Sequence, residues 1–340
     1  MSRIGQLARD IAQWIPPAAV APLGRPAAVF LHGVATGVSD PRVETNQHDR
    51  DAFWTIARTL KANFDVLPLT ALDEVLKNPE RHRRAVFLMS DDGYANMLTV
   101  AADMLAELEL PWTLFVSSHH VDTGERSPIF LALLFAFYGR ECRYLIPHLG
   151  PIEIGQDRAQ FAVTLIAQLR ELEMTDAQDA VQALVATFDP QHFQALRARF
   201  DSERFLNWDE VRLLAKRGVA IGAHGHRHWP MHHAQTAGRL RDQAVQSKTI
   251  IERELGQPCR VFAYPFGNDG DIAPRAWRAV RDAGFEAAFT TLSGSLDAGA
   301  NRFLLPRYGL APHDPNLAAM IPLLRAGNRR VRDFHRRLAS

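Results

Sequence analysis

The chain has 340 residues, 47% of them hydrophobic and 23% charged, with a formal net charge of +1 when histidines are neutral. Those proportions are ordinary for a soluble globular protein and indicate neither a disordered chain nor a bundle of membrane spans. The near-neutral balance gives no electrostatic case for nucleic acid or an acidic polymer as partner. Two cysteines, Cys142 and Cys259, make neither a disulfide framework nor a zinc ribbon, and read as reduced thiols.

Residues 1–26 form an extension in which Ile11, Trp14 and Ile15 recur at roughly helical spacing before a Pro/Ala segment. No basic n-region leads into an apolar h-region, so no signal peptide is expected and a cytoplasmic protein is. Ala27 to Leu31 is then an apolar run ending on His32-Gly33, which reads as an early strand. Phe53, Ile56, Ala57 and Leu60 keep the spacing of an amphipathic helix, and 63–68 reads as a short strand. Thr70 is placed to cap a helix over 71–77 that Pro79 ends.

The run Val86-Phe-Leu-Met89 is too short for a helix and too continuous for a half-exposed strand, which suits a parallel strand covered on both faces. It stops on Ser90-Asp91-Asp92-Gly93. In extended chain the two adjacent carboxylates point opposite ways, so one can hold a cation while the other faces what the cation activates. A helix over 97–110 and a strand over 112–116 continue the alternation expected of a parallel sheet with helices outside it. The stretch from about 122 to 205 breaks that alternation and reads as a helical insertion, with an apolar run from Ile129 to Phe137. That run is well short of the ~20 residues that span a bilayer. It reads as the insertion's core or as an interfacial helix meeting a membrane-held substrate. Helix and strand then alternate through 208–217, 219–222, 235–255, 260–264, 274–283, 286–290 and 303–305, leaving a tail over 311–340.

Chemistry collects at the strand ends. Five of the fourteen histidines fall within ten residues, at His224, His226, His228, His232 and His233. His224 and His228 can share one cation only if the chain coils there, because four residues of strand separate them by about 13 Å. Gly222 and Gly225 permit the bend; the rival pair, on one face of a continued strand, is His224 with His226. Tyr264-Pro265-Phe266-Gly267 closes another strand and offers the Phe266 N–H to a developing oxyanion. Arg307 places a fixed cation beyond the last strand, where it can orient the acidic pair.

These stretches, in this order, resemble the first three motifs of the polysaccharide deacetylases, carbohydrate esterase family four, also called the NodB homology domain. The resemblance runs from about 27 to 310 and implies an α/β fold, a distorted, incomplete (β/α) barrel with a helical insertion. It implies Asp91 as general base, and Asp92, His224 and His228 as ligands of one divalent metal ion, zinc or else iron, cobalt, nickel or manganese. Gly93, Tyr94, Tyr264 and Pro265 are the expected substrate contacts. Two departures stand out: Gly225 follows the first histidine where Ser or Thr is usual, and Ala263 stands where an arginine often opens the third motif, leaving Arg307 to substitute. The fifth-motif histidine that supplies the general acid is not evident, with His32 and His313 as candidates.

The expected activity is metal-dependent hydrolysis of an N-acyl group, N-acetyl foremost, from an amino sugar in a polysaccharide or a lipid-linked or nucleotide-linked precursor. N-deformylation shares the mechanism. An inactive saccharide-binding relative and a non-haem iron oxygenase are rival classes; the presence of Asp91 argues against the first and the parallel alternation against the second.

Overall fold

The computed structural model describes residues 24–310 and 328–339. Ile11, Trp14, Ile15 and His313 lie outside them. The strands in chain order are β1 (Ala27–Leu31), β2 (Gly33–Ala35), β3 (Gln47–Asp49), β4 (Asp65–Val66), β5 (Ala85–Ser90) and β6 (Trp112–Val116). They continue with β7 (Arg143–Ile146), β8 (Gly150–Glu153), β9 (Ala220–Ala223), β10 (Val261–Ala263), β11 (Ala287–Phe289) and β12 (Tyr308–Gly309). The main sheet runs β11-β10-β9-β6-β5-β1-β12, parallel at every pairing, with β4 beside the start of β5. Every residue of β1, β5, β6, β10 and β11 is buried, which is why these strands read as unbroken apolar runs.

Alternation of side chains sends the two faces into different cores. Val29, Leu31, Val86, Leu88, Leu114 and Val116 pack outward against helices such as Arg50–Asn63, whose Phe53, Ile56 and Leu60 are buried. Ala28, Phe30, Phe87, Met89, Phe115 and Phe289 fill the inside of the curl, where Leu72 and Val75 of the helix Leu72–Lys77 join them.

The sheet does not close on itself. Residues 302–310 cross the open seam instead, bonding to one edge through Leu305 N–H to the Ala288 carbonyl (2.9 Å) and to the other through Leu310 N–H to the Phe30 carbonyl (2.8 Å). The architecture is the incomplete (β/α) barrel the sequence implies. The expected strand over 303–305 is only an isolated bridge between Leu305 and Phe289, and the strand proper is β12. Thr70 lies inside a 3-10 turn and does not cap the next helix, whose N-cap is Ala71. The helix expected over 97–110 opens as a π-helical turn at Met97–Ala101 before regular helix at Ala102–Glu107.

Between β6 and β9 lie helices Ser118–Thr123, Pro128–Tyr138, Arg158–Glu171, Met174–Ala186 and Pro190–Arg199, with the antiparallel hairpin β7–β8 among them. The hairpin and the first and last of these helices have no counterpart in the sequence reading. Pro128–Tyr138 contains the apolar run, and its residues Phe130 and Ala132 to Ala136 are buried in two cores of the insertion. Leu133 and Leu134 therefore face inward. Trp229, from the histidine stretch, is buried in one of those cores, which ties the insertion to the loop bearing the histidines. Among the described residues no helix is long and apolar enough to cross a membrane.

Gly222 shows how tightly β9 is held. A Cβ there would lie 2.6 Å from Phe115 ring carbons and 2.9 Å from Val261 Cγ2. Gly222→Ala is expected to lower stability by about 1–3 kcal/mol through this overpacking. A urea titration should show a lower midpoint at an unchanged m-value; an unchanged midpoint would mean the strand relaxes freely.

Candidate active site

Strand β5 delivers the acidic pair as its apolar run requires, but the chain leaves the extended state at Asp92. Asp92 and Gly93 take φ of 73° and 89°, a reversal that sends the two carboxylates in separate directions. Asp91 is held by Arg307 in a two-pronged pair, Nη1 to Oδ1 and Nη2 to Oδ2, both 2.7 Å. Arg307 is fully buried. Its Nε donates to the Thr290 carbonyl at 3.0 Å, and its guanidinium lies 4.3 Å from the Phe30 ring centre. Burial works against ionisation of Asp91, but the charge and hydrogen bonds of Arg307 oppose it and hold the carboxyl below its ordinary range.

The histidine stretch coils. Gly225 and His228 take φ of 72° and 51°, and the His224 and His228 ring centres come to 4.9 Å. His226 is turned elsewhere, with its Nδ1 at 2.8 Å from Ser118 Oγ. Asp92 Oδ1 lies 3.2 Å from His224 Nε2 and 2.9 Å from His228 Nε2. Among the described residues this buried trio forms the one group of three or more candidate ligands able to hold a metal ion, its ligand atoms all within 4.8 Å. Of the two pairs open at the sequence level, the structure brings together His224 and His228.

The donor set fits a cation on chemical grounds. His224 Nδ1 donates to the Ala263 carbonyl at 2.8 Å, so the neutral ring presents the Nε2 lone pair toward Asp92. Asp92 Oδ1 has no hydrogen-bond donor. A carboxylate oxygen facing imidazole lone pairs at 2.9–3.2 Å is repulsive unless a cation or a proton lies between them.

These groups line a cavity of about 530 Å³, together with His32, Tyr94, Glu203, Phe266, Asn268 and Thr291. Ile129, Phe130 and Leu133 give it an apolar wall, so the insertion shapes the site. Phe266, with φ of 61°, packs its ring 5.3 Å from that of His228. Of five non-glycine residues with positive φ among the described residues, Asp92, His228 and Phe266 are three, one on each loop of the site. Backbone strain is concentrated on the loops that line this cavity.

Some expected contacts are not made. Tyr264 is buried, its hydroxyl donating to the Phe303 carbonyl at 3.0 Å, and neither it nor Pro265 lines the cavity; an aromatic ring at a strand end found the core first. Gly93 makes the turn, its backbone packed on Val116. Tyr94 does reach the cavity, stacked on Phe205 at 5.2 Å. Glu203 escaped the sequence reading because nothing local marks Asp201-Ser-Glu203 as more than a helix end. Its partners are remote: Gln47 Nε2 donates to it at 2.9 Å, and the Tyr94 hydroxyl bonds to it. Burial pushes its carboxyl up to about 7. Burial likewise lowers His32, against the pull of Asp92 and Asp91.

A family model for polysaccharide deacetylase matches residues 78–288, more than half of the chain, and the protein belongs to that family. Such proteins are hydrolases acting on the amide bonds of acetylated sugars. No curated protein matches the chain. Among solved structures it is similar to the Streptococcus pyogenes deacetylase PplD in complex with acetate, with 14% identity, coverage of 88% of this chain and 97% of that one, and a TM-score of 0.56. It is also similar to a de-N-acetylase from Aggregatibacter actinomycetemcomitans, at 15% identity, 91% and 99% coverage and a TM-score of 0.54. IcaB from Ammonifex degensii gives 14% identity, 88% and 97% coverage and a TM-score of 0.54. At these identities the likeness shows the fold alone.

Breaking the Asp91–Arg307 pair should be costly. Arg307→Gln leaves a buried carboxylate short of its partner and is expected to destabilise the fold by about 3–5 kcal/mol. Because the folded carboxyl is depressed, the pair's contribution is whole above the unfolded value of about 3.9 and is lost as pH falls through the lower folded value. In the variant burial raises the uncompensated Asp91 carboxyl, so the stability deficit, measured by denaturant titration, should shrink as pH falls from above the ordinary carboxylate range, where the variant takes up its proton, down to the depressed native value. A deficit constant with pH would show that packing, not charge, is what Arg307 supplies.

Proposed function

We propose that the protein removes an N-acetyl group from an amino sugar, with Asp91 as general base and Asp92, His224 and His228 holding one divalent metal ion. The observation that carries this reading is the juxtaposition, in one cavity, of a carboxylate fixed by Arg307 and a separate Asp–His–His donor set. Two imidazoles and one carboxylate form a donor set that catalytic zinc takes, and zinc is the ion proposed here. Such an ion supplies Lewis-acid chemistry, acidifying a bound water and polarising the amide carbonyl.

The remaining steps belong to the chain. Asp91, ionised and oriented by both guanidinium nitrogens, takes the proton of the attacking water. The backbone N–H of Phe266, a residue lining the cavity, serves as donor to the developing oxyanion. The departing amine needs a proton, and two groups on the cavity wall compete to give it. His32 is held neutral by burial, whereas Glu203, raised to about 7, still carries its proton in about half of the molecules at neutral pH. Glu203 is the better acid, and His32 serves as a neutral hydrogen-bonding partner to the sugar. The catalytic unit is proposed to span residues 27–310, wider than the matched region, since His32 and Arg307 flank it on either side.

Free-amine release from N-acetylated amino sugars tests the activity. Asp91→Asn is expected to keep metal at near-normal stoichiometry while turnover falls roughly 10²–10⁴-fold. Asp92→Asn should lose metal affinity first, with part of the rate restored by excess metal; equal metal loss in both variants would refute this division of labour.

Glu203→Gln should cut turnover to a similar degree and abolish the basic limb of the rate profile, which in the native protein should fall above pH about 7 as the acid loses its proton. If His32→Gln removes that limb and Glu203→Gln spares it, the assignment of the acid is reversed.

A further inference from the structure

A second cavity, of about 480 Å³, lies behind the first, between the segment Ser118–Pro128 and the insertion helices Met174–Ala186 and Pro190–Arg199. The two cavities share a wall. Arg126, Pro128 and Leu131 line the second, while Ser127, Ile129 and Phe130 line the catalytic one.

The second cavity is cationic. Arg126, Arg197 and Arg227 border it against a single carboxylate, Glu125, which is already paired with His119 Nε2 at 2.9 Å. Arg126 is the telling residue, since it is only 8% exposed and its Nε and Nη1 have no hydrogen-bond partner. Its remaining nitrogen, Nη2, reaches the Arg197 carbonyl at 3.3 Å and Asp201 Oδ1 at 3.6 Å, both weak contacts. Those two nitrogens are shielded from solvent as the side chain stands, so an anion in the cavity would meet them only after the guanidinium turns toward it; completing them would offset the cost of burying a guanidinium with two unused donors. The other wall is apolar, built from Leu131, Val181, Val185 and Phe193. That volume suits an organic ligand rather than a bare ion.

We propose that this cavity binds a phosphate ester carrying an apolar chain, the phosphate on Arg126 and Arg197 and the chain along the apolar wall. Three arginines against one glutamate suit a multiply charged, tetrahedral oxyanion, which guanidinium forks bind well. That the phosphate is part of the same molecule as the N-acyl sugar rests on the deacetylase reading; the binding itself does not.

Calorimetry on the full chain tests the site without turnover, using octyl phosphate, octyl glucoside, inorganic phosphate and uridine 5′-monophosphate. Octyl phosphate is expected to bind at least roughly tenfold more tightly than the other three, as loss of either the charged contacts or the apolar burial would cost that much. Arg126→Gln should weaken it about tenfold or more, and the half-buried Arg197→Gln, which guards against a folding defect at Arg126, severalfold. Equal binding of octyl glucoside would overturn the anion, and equal binding of inorganic phosphate the apolar chain. A preference for the nucleotide would overturn the lipid-like ligand. Phosphate held at the Asp92–His224–His228 centre instead would leave the affinity unchanged in both variants and overturn the site. Loss of octyl phosphate binding in Arg126→Gln with unaltered release of amine from a small neutral N-acetyl sugar would support the site, and hydrolysis failing in the native protein while octyl phosphate still binds would sink only the deacetylase reading.

Discussion

The pair between Arg307 and Asp91 is the interaction on which the site depends. A buried carboxylate at the end of β5 would take up a proton unless a cation were supplied, and a protonated Asp91 could not serve as a base. The cation comes from the segment that bridges the sheet's open seam, so bridging the seam and ionising Asp91 are one event. The guanidinium is itself boxed by Phe30 and Phe115 inside the curl and donates to the Thr290 carbonyl. Rotamer freedom is thereby removed before any substrate arrives, the kind of preorganisation electrostatic catalysis requires.

Much of this was legible in the sequence. Unbroken apolar runs ending on polar residues identified β1, β5 and β6, because burial on both faces leaves no alternation to disguise them. The order of the acidic pair, the histidine stretch and the Tyr-Pro-Phe-Gly turn identified the family, and the spacing of His224 and His228 allowed the coil that Gly225 permits. What escaped was long-range. Glu203 meets its partners Gln47 and Tyr94 from more than a hundred residues away, and no local pattern encodes such a meeting. Tyr264 misled for the converse reason: its motif position suggested the cavity, but a large ring gains more by burial, and its hydroxyl found a carbonyl within the fold.

The insertion changes what the barrel can accept. Its helix Pro128–Tyr138 gives one face to the catalytic cavity and its first residues to the second, and Trp229 locks it to the loop that carries His228. His120, from the same region, stacks on Phe205 at 4.7 Å, and Phe205 stacks in turn on Tyr94. A displacement of the insertion would pass through these rings to the cavity wall. The apolar run, which reads as the insertion's core or as an interfacial helix, supplies the apolar part of this wall through Ile129, Phe130 and Leu133.

The three left-handed residues on the site loops set a limit on engineering. Asp92, His228 and Phe266 each occupy a backbone region where glycine is favoured, at a cost of order 1–3 kcal/mol apiece. A library selected for thermal tolerance alone would be drawn to glycine at all three, relieving the backbone while deleting a proposed ligand or a cavity wall. Robustness and chemistry therefore pull against each other at the same three positions, and heat-resistant variants of this scaffold should be sought in the helices outside the barrel.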